Sequence, residues 1–207
     1  MKRLISFEGI DGCGKTTQIN LVSDFLNSKN IKTKILREPG GTLLSEKIRD
    51  VLLDNKNKIS SESETLLFLS ARSIITSEVI IPSLRKNEII LCDRFIDSTL
   101  AYQGYGRKID LELINKINLF ATKNILPDLT LIFDIDPKIA LSRIKHDSLD
   151  RMESAGEKFL SDVRNGYLEI AENNPDRCFL IDCNNKDIES IKKIVLDKVS
   201  GIFKKGG

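Results

Sequence analysis

The stretch Gly9-Ile10-Asp11-Gly12-Cys13-Gly14-Lys15-Thr16 lies directly after a short apolar run and directly before a helical pattern, and nothing else in the chain limits its fold so tightly. Glycines in such a turn let successive backbone N–H groups face inward, and the helix start behind them adds partial positive charge. The arrangement cradles phosphate oxygens. Lys15 can then span the β- and γ-phosphates, and the Thr16 hydroxyl can ligate Mg²⁺. Gly9, Ile10, Asp11, Gly12, Cys13, Gly14, Lys15, Thr16 and Thr17 are accordingly read as the contact for a nucleotide's phosphates.

A strand before the loop and a helix after it form the first half of a βαβ unit, and the pattern repeats along the chain. Candidate strands are Arg3–Glu8, Lys32–Arg37, Glu88–Asp93, Leu129–Asp134 and Cys178–Asp182. Candidate helices are Lys15–Ser28, Leu43–Leu53, Glu62–Ile81, Leu111–Thr122, Pro137–Lys145, Glu157–Glu172 and Asp187–Phe203. The fold class is α/β with a parallel sheet, so function belongs at the C-terminal strand ends. At 207 residues, 41% of them hydrophobic, the chain is read as one domain spanning 1–207. The polar segment Lys145 to Gly156, between two helix patterns, reads as a mobile lid, placed at about 143–156.

Charge and composition remove several classes of function. Lysine and arginine number 32 against 30 acidic residues, a net +2, which argues against a protein held on nucleic acid by counterion release. The longest unbroken apolar runs, such as Leu66–Leu69, are far below the ~18 residues of a spanning helix, so no membrane partner is expected. Met1-Lys2-Arg3 leads into a strand rather than a signal sequence, and the reading is cytoplasmic. Four scattered cysteines and the single His146 lack the spacing of a zinc site or a disulfide framework.

The strand ending at Cys92 runs into Asp93-Arg94, where a carboxylate can hold Mg²⁺ through water and a guanidinium can fork two phosphate oxygens. An ion pair at the surface is the lesser reading of that dipeptide, since it would share a sheet edge with the phosphate loop. No N-K-x-D occurs, since Asn184-Asn185-Lys186-Asp187 has the wrong order, and the D-x-x-G of Asp11-Gly12-Cys13-Gly14 belongs to the phosphate loop rather than to a separate switch, so a GTPase is disfavoured.

Further segments complete one pattern: Phe7-Glu8-Gly9 through Thr17, Arg37-Glu38-Pro39-Gly40-Gly41-Thr42, Leu67-Phe68-Leu69-Ser70-Ala71-Arg72, Asp93-Arg94-Phe95, Ser98-Thr99-Leu100-Ala101-Tyr102-Gln103-Gly104 and Asp150-Arg151-Met152-Glu153. In order and spacing, from Arg3 to about Asp182, they resemble the thymidylate kinase family, in its bacterial form with catalytic basic residues in the lid. The resemblance implies a P-loop nucleoside monophosphate kinase fold with a five-stranded parallel sheet flanked by helices and a short lid. It also implies transfer of the γ-phosphoryl group of MgATP to dTMP, Mg²⁺ dependence and a homodimer.

The residues themselves are consistent with a pyrimidine acceptor. Phe68 and Arg72 stand four apart on a helix pattern and share a face, so a ring can stack on a base while the guanidinium donates to its edge. Thymine and uracil offer an O4 acceptor there, and cytosine an N4 donor. Taken alone, Phe68 in its apolar run Leu66-Leu67-Phe68-Leu69 reads more readily as core, and the family pattern reverses that preference. By resemblance, Arg49 and Arg94 bind the acceptor phosphate, Thr99 and Gln103 reach the base edge, and Asp11 lies near the sugar 3′-hydroxyl. Tyr102 likewise fills the space a ribose 2′-hydroxyl would need. Glu38-Pro39 belongs to the same pocket as a bend that a cis bond would suit, although Arg37 and Glu38 read equally as a surface pair. Catalytic roles fall to Lys15, Asp93, Arg94, Arg143 and Arg151, with Thr16 and Asp93 as metal ligands. By resemblance again, a loop with Gly12 and Cys13 looks like the class in which the lid supplies the cation, with Arg151 ranked before Arg143 and Lys145. Cys13 in the loop raises sensitivity to oxidation as a further expectation.

Overall fold

The computed structural model describes residues 3–143 and 150–204. Its five strands are β1 (Leu4–Glu8), β2 (Thr33–Arg37), β3 (Ile89–Asp93), β4 (Leu129–Asp134) and β5 (Cys178–Asp182). They form one sheet in the order β2-β3-β1-β4-β5, every pairing parallel. The three central strands are buried almost throughout, while β2 and β5 at the edges carry exposed positions. That explains why β1, β3 and β4 read as continuous apolar runs: helices cover both faces of a parallel sheet.

The chain winds to one side of β1 through β2 and β3 and to the other through β4 and β5. Strand order therefore reverses beside β1, where an open α/β sheet leaves a crevice at its C-terminal edge. The β1–β3 register sets Phe7 opposite Asp93, and the β2–β3 register sets Arg37 opposite Asp93. Glu8-Gly9, Asp93-Arg94 and Arg37-Glu38 are thereby brought to the same edge.

The helices are α1 (Lys15–Asn27), α2 (Leu43–Leu53), α3 (Ser61–Ile75), α4 (Ile81–Arg85), α5 (Ile96–Thr99), α6 (Leu111–Ala121), α7 (Pro137–Arg143), α8 (Glu157–Asn173) and α9 (Ile188–Lys204). Side-chain caps from Thr42, Ser60 and Asp110 start α2, α3 and α6 by accepting from backbone N–H groups in the first turn. A π-helical stretch, Thr76–Ile80, joins α3 to α4, and Ser61–Arg85 is one helix of 25 residues. By length and composition it is long and apolar enough to cross a membrane, a property that counting unbroken apolar runs overlooked. Here Leu69, Ala71, Arg72, Ile75 and Ile80 on that helix are buried within the protein.

A second π-helical stretch, Leu100–Gly106, continues α5. This segment, Ile96 to Gly106, was absent from the helices read in the sequence. Its turn is wider than 3.6 residues, and Thr99, Gln103, Gly104 and Gly106 erase the apolar stripe that marks an ordinary helix. The lid reading falls partly outside the described residues: Lys145 and His146 lie within 144–149.

Candidate active site

The phosphate loop runs from the end of β1 to the start of α1, as its motif requires. Gly9 has φ 135°, and a Cβ built there would lie 2.6 Å from the Phe133 carbonyl oxygen, so both conformation and space demand glycine. Lys15 is buried and donates from Nζ to the carbonyl oxygens of Gly9 and Ile10, at 3.0 and 3.1 Å. Its ammonium also lies 3.5 Å from Asp11 Oδ1. Bound phosphates would compete for that charge. Thr16 Oγ1 donates to Asp93 Oδ2 at 3.2 Å, which sets two hard oxygen ligands side by side at the crevice. Among the described residues no group of three His, Cys, Asp or Glu side chains could hold a metal by itself. The pair thus suits a cation that takes its remaining ligands from phosphate and water.

Arg94 follows β3 with φ 71°, a left-handed backbone uncommon outside glycine, and such strain concentrates at functional sites. Its guanidinium donates to Asp11 Oδ1 at 2.8 Å and to the Tyr102 hydroxyl at 3.2 Å, and it lies 4.9 Å from the Tyr102 ring centroid. Burial alone would push the Asp11 carboxyl up, but Arg94 and Lys15 outweigh it and hold its pKa at about 2.

A cavity of about 250 Å³ opens between this loop and α3, reaching from Thr16 and Asp93 to Phe68, Arg72 and Gln103. Arg37, Arg49 and Arg94 also line it, a concentration of cations suited to an anionic ligand. Burial and the neighbouring Arg37 disfavour the charge on Arg49, which donates to the Pro39 carbonyl at 3.0 Å.

Deeper in the pocket Arg72 is 2% exposed. It donates to Glu38 Oε2 at 2.7 Å, Thr99 Oγ1 at 2.6 Å, Asn118 Oδ1 at 2.7 Å and the Phe95 carbonyl at 2.8 Å. Those bonds use four of the five guanidinium N–H groups and leave one on Nη2. Glu38 is buried as well, and its peptide bond to Pro39 is cis. The surface-pair reading of Arg37 and Glu38 is therefore corrected: Glu38 pairs with Arg72, and Arg37 pairs at 2.9 Å with Glu46. Glu38 turns inward because the β2 end sits over α3, where a buried guanidinium needs a counter-charge.

A family model described as "Thymidylate kinase" matches residues 7–195. A thymidylate kinase of Thermosipho africanus (strain TCF52B) is 49% identical over 187 residues, 90% of this chain and 92% of that protein. Another, of Caldanaerobacter subterraneus subsp. tengcongensis, is 42% identical over 202 residues, 98% of this chain and 97% of that protein. The crystal structure of thymidylate kinase from Ehrlichia chaffeensis aligns with a TM-score of 0.77 at 39% identity, over 96% of this chain and 98% of that one. This chain belongs to the thymidylate kinase family. Its activity is ATP-dependent phosphorylation of dTMP to dTDP.

In this chain Asp11, Thr16, Glu38, Pro39, Arg49, Phe68, Arg72, Asp93, Arg94, Thr99, Tyr102 and Gln103 all line the one cavity. The two lid cations part company. Arg143 donates to the Gly12 carbonyl at 3.2 Å, on the phosphate loop. Arg151 instead donates to Glu64 Oε2 at 2.6 Å and to the Leu52 carbonyl at 2.7 Å. Cys13 is 1% exposed, and burial pushes its thiol up, away from a reactive thiolate. The expected oxidation sensitivity is corrected on that ground.

Three buried side chains beside the cavity were not singled out from the sequence. Glu8 is fully buried at the entry to the loop, where it accepts from the Phe95 N–H at 2.7 Å and from the hydroxyls of Ser98 and Tyr167. Burial and the nearby Asp97 raise its carboxyl. Asn118 on α6 completes the shell of Arg72. Glu64 was legible in principle, because Glu64, Phe68 and Arg72 recur every fourth residue.

Proposed function

We propose that the transfer takes place within this one cavity, with the donor phosphates on Gly9–Thr17 and dTMP between Phe68, Arg72, Arg94 and Tyr102. The observation that carries the reading is the continuity of the cavity from the Thr16–Asp93 pair to the Phe68–Arg72 face. A phosphate oxygen of dTMP attacks the γ-phosphorus, the bond to the β-bridging oxygen breaks, and ADP leaves. That nucleophile is already anionic, so the protein's work is positioning and charge neutralisation rather than proton abstraction. Backbone amides and Lys15 hold the donor. Arg49 and Arg94 hold the acceptor phosphate, and Asp11 fixes Arg94. Thr16 and Asp93 would hold Mg²⁺, which supplies charge neutralisation on the donor phosphates when bound.

For the cation on the transferring group, the contact of Arg143 with the loop favours it over Arg151, a reversal of the order drawn from sequence. A homodimer is part of the proposal. Leu43, Leu44, Val51, Leu66, Leu113 and Phe120 are exposed on α2, α3 and α6, of which α3 packs against the other two, and a second copy of the same face would cover them. Four free, buried cysteines are in keeping with a reducing, cytoplasmic setting.

A coupled ADP-release assay across dTMP, dUMP, dCMP, dGMP, UMP and AMP tests the substrate. We expect dTMP to lead, dUMP to follow and dCMP to be nearly inert; AMP or dCMP turned over at the dTMP rate would defeat the reading. Light scattering at micromolar protein tests the dimer, and a monomer mass would remove it.

A further inference from the structure

Glu64 lies one helical turn before Phe68 and two before Arg72, on the same face of α3. It is 1% exposed, and its carboxylate gathers three side chains. Oε1 accepts from Gln103 Nε2 at 2.9 Å and from Arg107 Nε at 3.1 Å. Oε2 accepts from Arg107 Nη2 at 3.1 Å and from Arg151 Nη1 at 2.6 Å. Burial raises this carboxyl, but the hydrogen bonds from Arg107, Gln103 and Arg151 outweigh it and hold the pKa below its ordinary value. The group stays ionised at neutral pH, and an ionised carboxylate only accepts.

Gln103 lines the cavity, and an amide can show either of two edges, a carbonyl that accepts or an NH₂ that donates. Facing an acceptor-only partner, it has to give the NH₂. Its Oε1 accepts from no described protein group and is not among the buried orphan atoms, which are Gln18 Oε1, Glu38 Oε1 and Thr76 Oγ1. The carbonyl oxygen is the edge left for a ligand. Across the cavity Arg72 keeps one free Nη2 hydrogen. An acceptor and a donor so arranged complement a ring N–H next to a ring carbonyl, as at N3 and O4 of thymine. Cytosine presents the opposite pair, a bare N3 and an N4 amino group.

We propose that Glu64 is a positioning residue for base selection, locking the Gln103 amide in the orientation that accepts a thymine edge and rejects a cytosine edge. The proposal rests on the dTMP reading above. Glu64 touches no substrate; it acts through Gln103, while Arg107 and Arg151 keep it charged. A protonated or neutral partner could donate to the amide and let it turn over.

Glu64→Gln keeps the shape and removes the charge, so two facing amides can pair in either sense. The ratio of kcat/KM for dTMP over dCMP should fall by at least about tenfold, chiefly through KM. A role confined to holding the fold would lower both substrates in parallel, and an unchanged ratio overturns the proposal. Gln103→Leu, measured in the same way, keeps the test open if Glu64→Gln does not fold: its ratio should drop by a similar factor, and full retention of discrimination overturns the route through Gln103. In the Gln103→Leu background, Glu64→Gln should cause no further loss of discrimination. A second, independent readout is the Gln103 side-chain amide in ¹⁵N-labelled, substrate-free protein. One of its N–H groups should exchange slowly with solvent in the wild type; fast exchange there overturns the lock. If the wild type fails to turn over dTMP, the substrate reading fails by itself, since the exchange measurement does not depend on it.

Discussion

Replacing Arg72 by alanine should destabilise the protein before it changes any specificity. Arg72 and Glu38 are 2% and 4% exposed and meet at 2.7 Å, and Glu38 Oε1 already lacks a hydrogen-bond partner. Burial raises the Glu38 carboxyl, and Arg72 is the largest opposing influence. Without the guanidinium, that carboxylate either stays charged in a dry site or takes a proton, and both cost free energy. Breaking a buried pair from one side costs about 3–5 kcal/mol, against a total of about 5–15 kcal/mol for a domain. At roughly 2–4 °C per kcal/mol for a chain of this size, Tm should fall by roughly 6–20 °C. Urea unfolding followed by circular dichroism, with the slope held common, gives the free energy directly. The double substitution Glu38→Gln with Arg72→Met buries no charge and should recover more than half of the loss. A loss below about 1 kcal/mol for Arg72→Ala, or a double variant no more stable than the single one, would refute the reasoning.

Arg143→Ala should lower kcat by roughly 10²-fold or more with little change in the KM for dTMP, by analogy with arginine fingers. Arg151→Ala should mainly raise that KM, because Glu64 loses one of its two arginines; steady-state kinetics on both variants check this, and the reverse pattern would return the transferring-group role to Arg151. Tyr102→Ala should narrow the gap between dTMP and ribothymidine monophosphate, measured as a ratio of kcat/KM, since its ring lines the cavity and packs edge-on against Phe159 and Tyr167. Asp11 has a native pKa of about 2 against an ordinary 3.8, so its contribution to stability is complete above the higher value and is lost as pH falls towards the lower. Between pH 5 and 2 the stability of the wild type should therefore fall more steeply than that of Asp11→Asn, and equal slopes in urea titrations would count against the Asp11–Arg94 pair.

Much of the site was legible because its parts are local. The phosphate loop occupies consecutive residues, and the strands Leu129–Asp134 and Cys178–Asp182 and the helix Leu43–Leu53 stand where their patterns put them. Phe68 and Arg72 were readable as one face because four residues make about one turn. The helix from Ile96 to Gly106 was not, since π-helical spacing and two glycines remove the 3.6-residue period on which such a reading depends.

What the sequence determined by itself, then, is the parallel sheet, the phosphate cradle and the shared face of Phe68 and Arg72 that lines the cavity. Which carboxylate each arginine would take was decided only in three dimensions. Arg72 finds Glu38 across 34 residues, Arg94 finds Asp11 across 83, and Arg151 finds Glu64 across 87. Short-range rules reach three or four residues along a helix, whereas these pairs depend on strand order and on how α3 docks against the sheet edge. A charge taken out of water must find a partner wherever the fold brings one, and here that partner lies far along the chain.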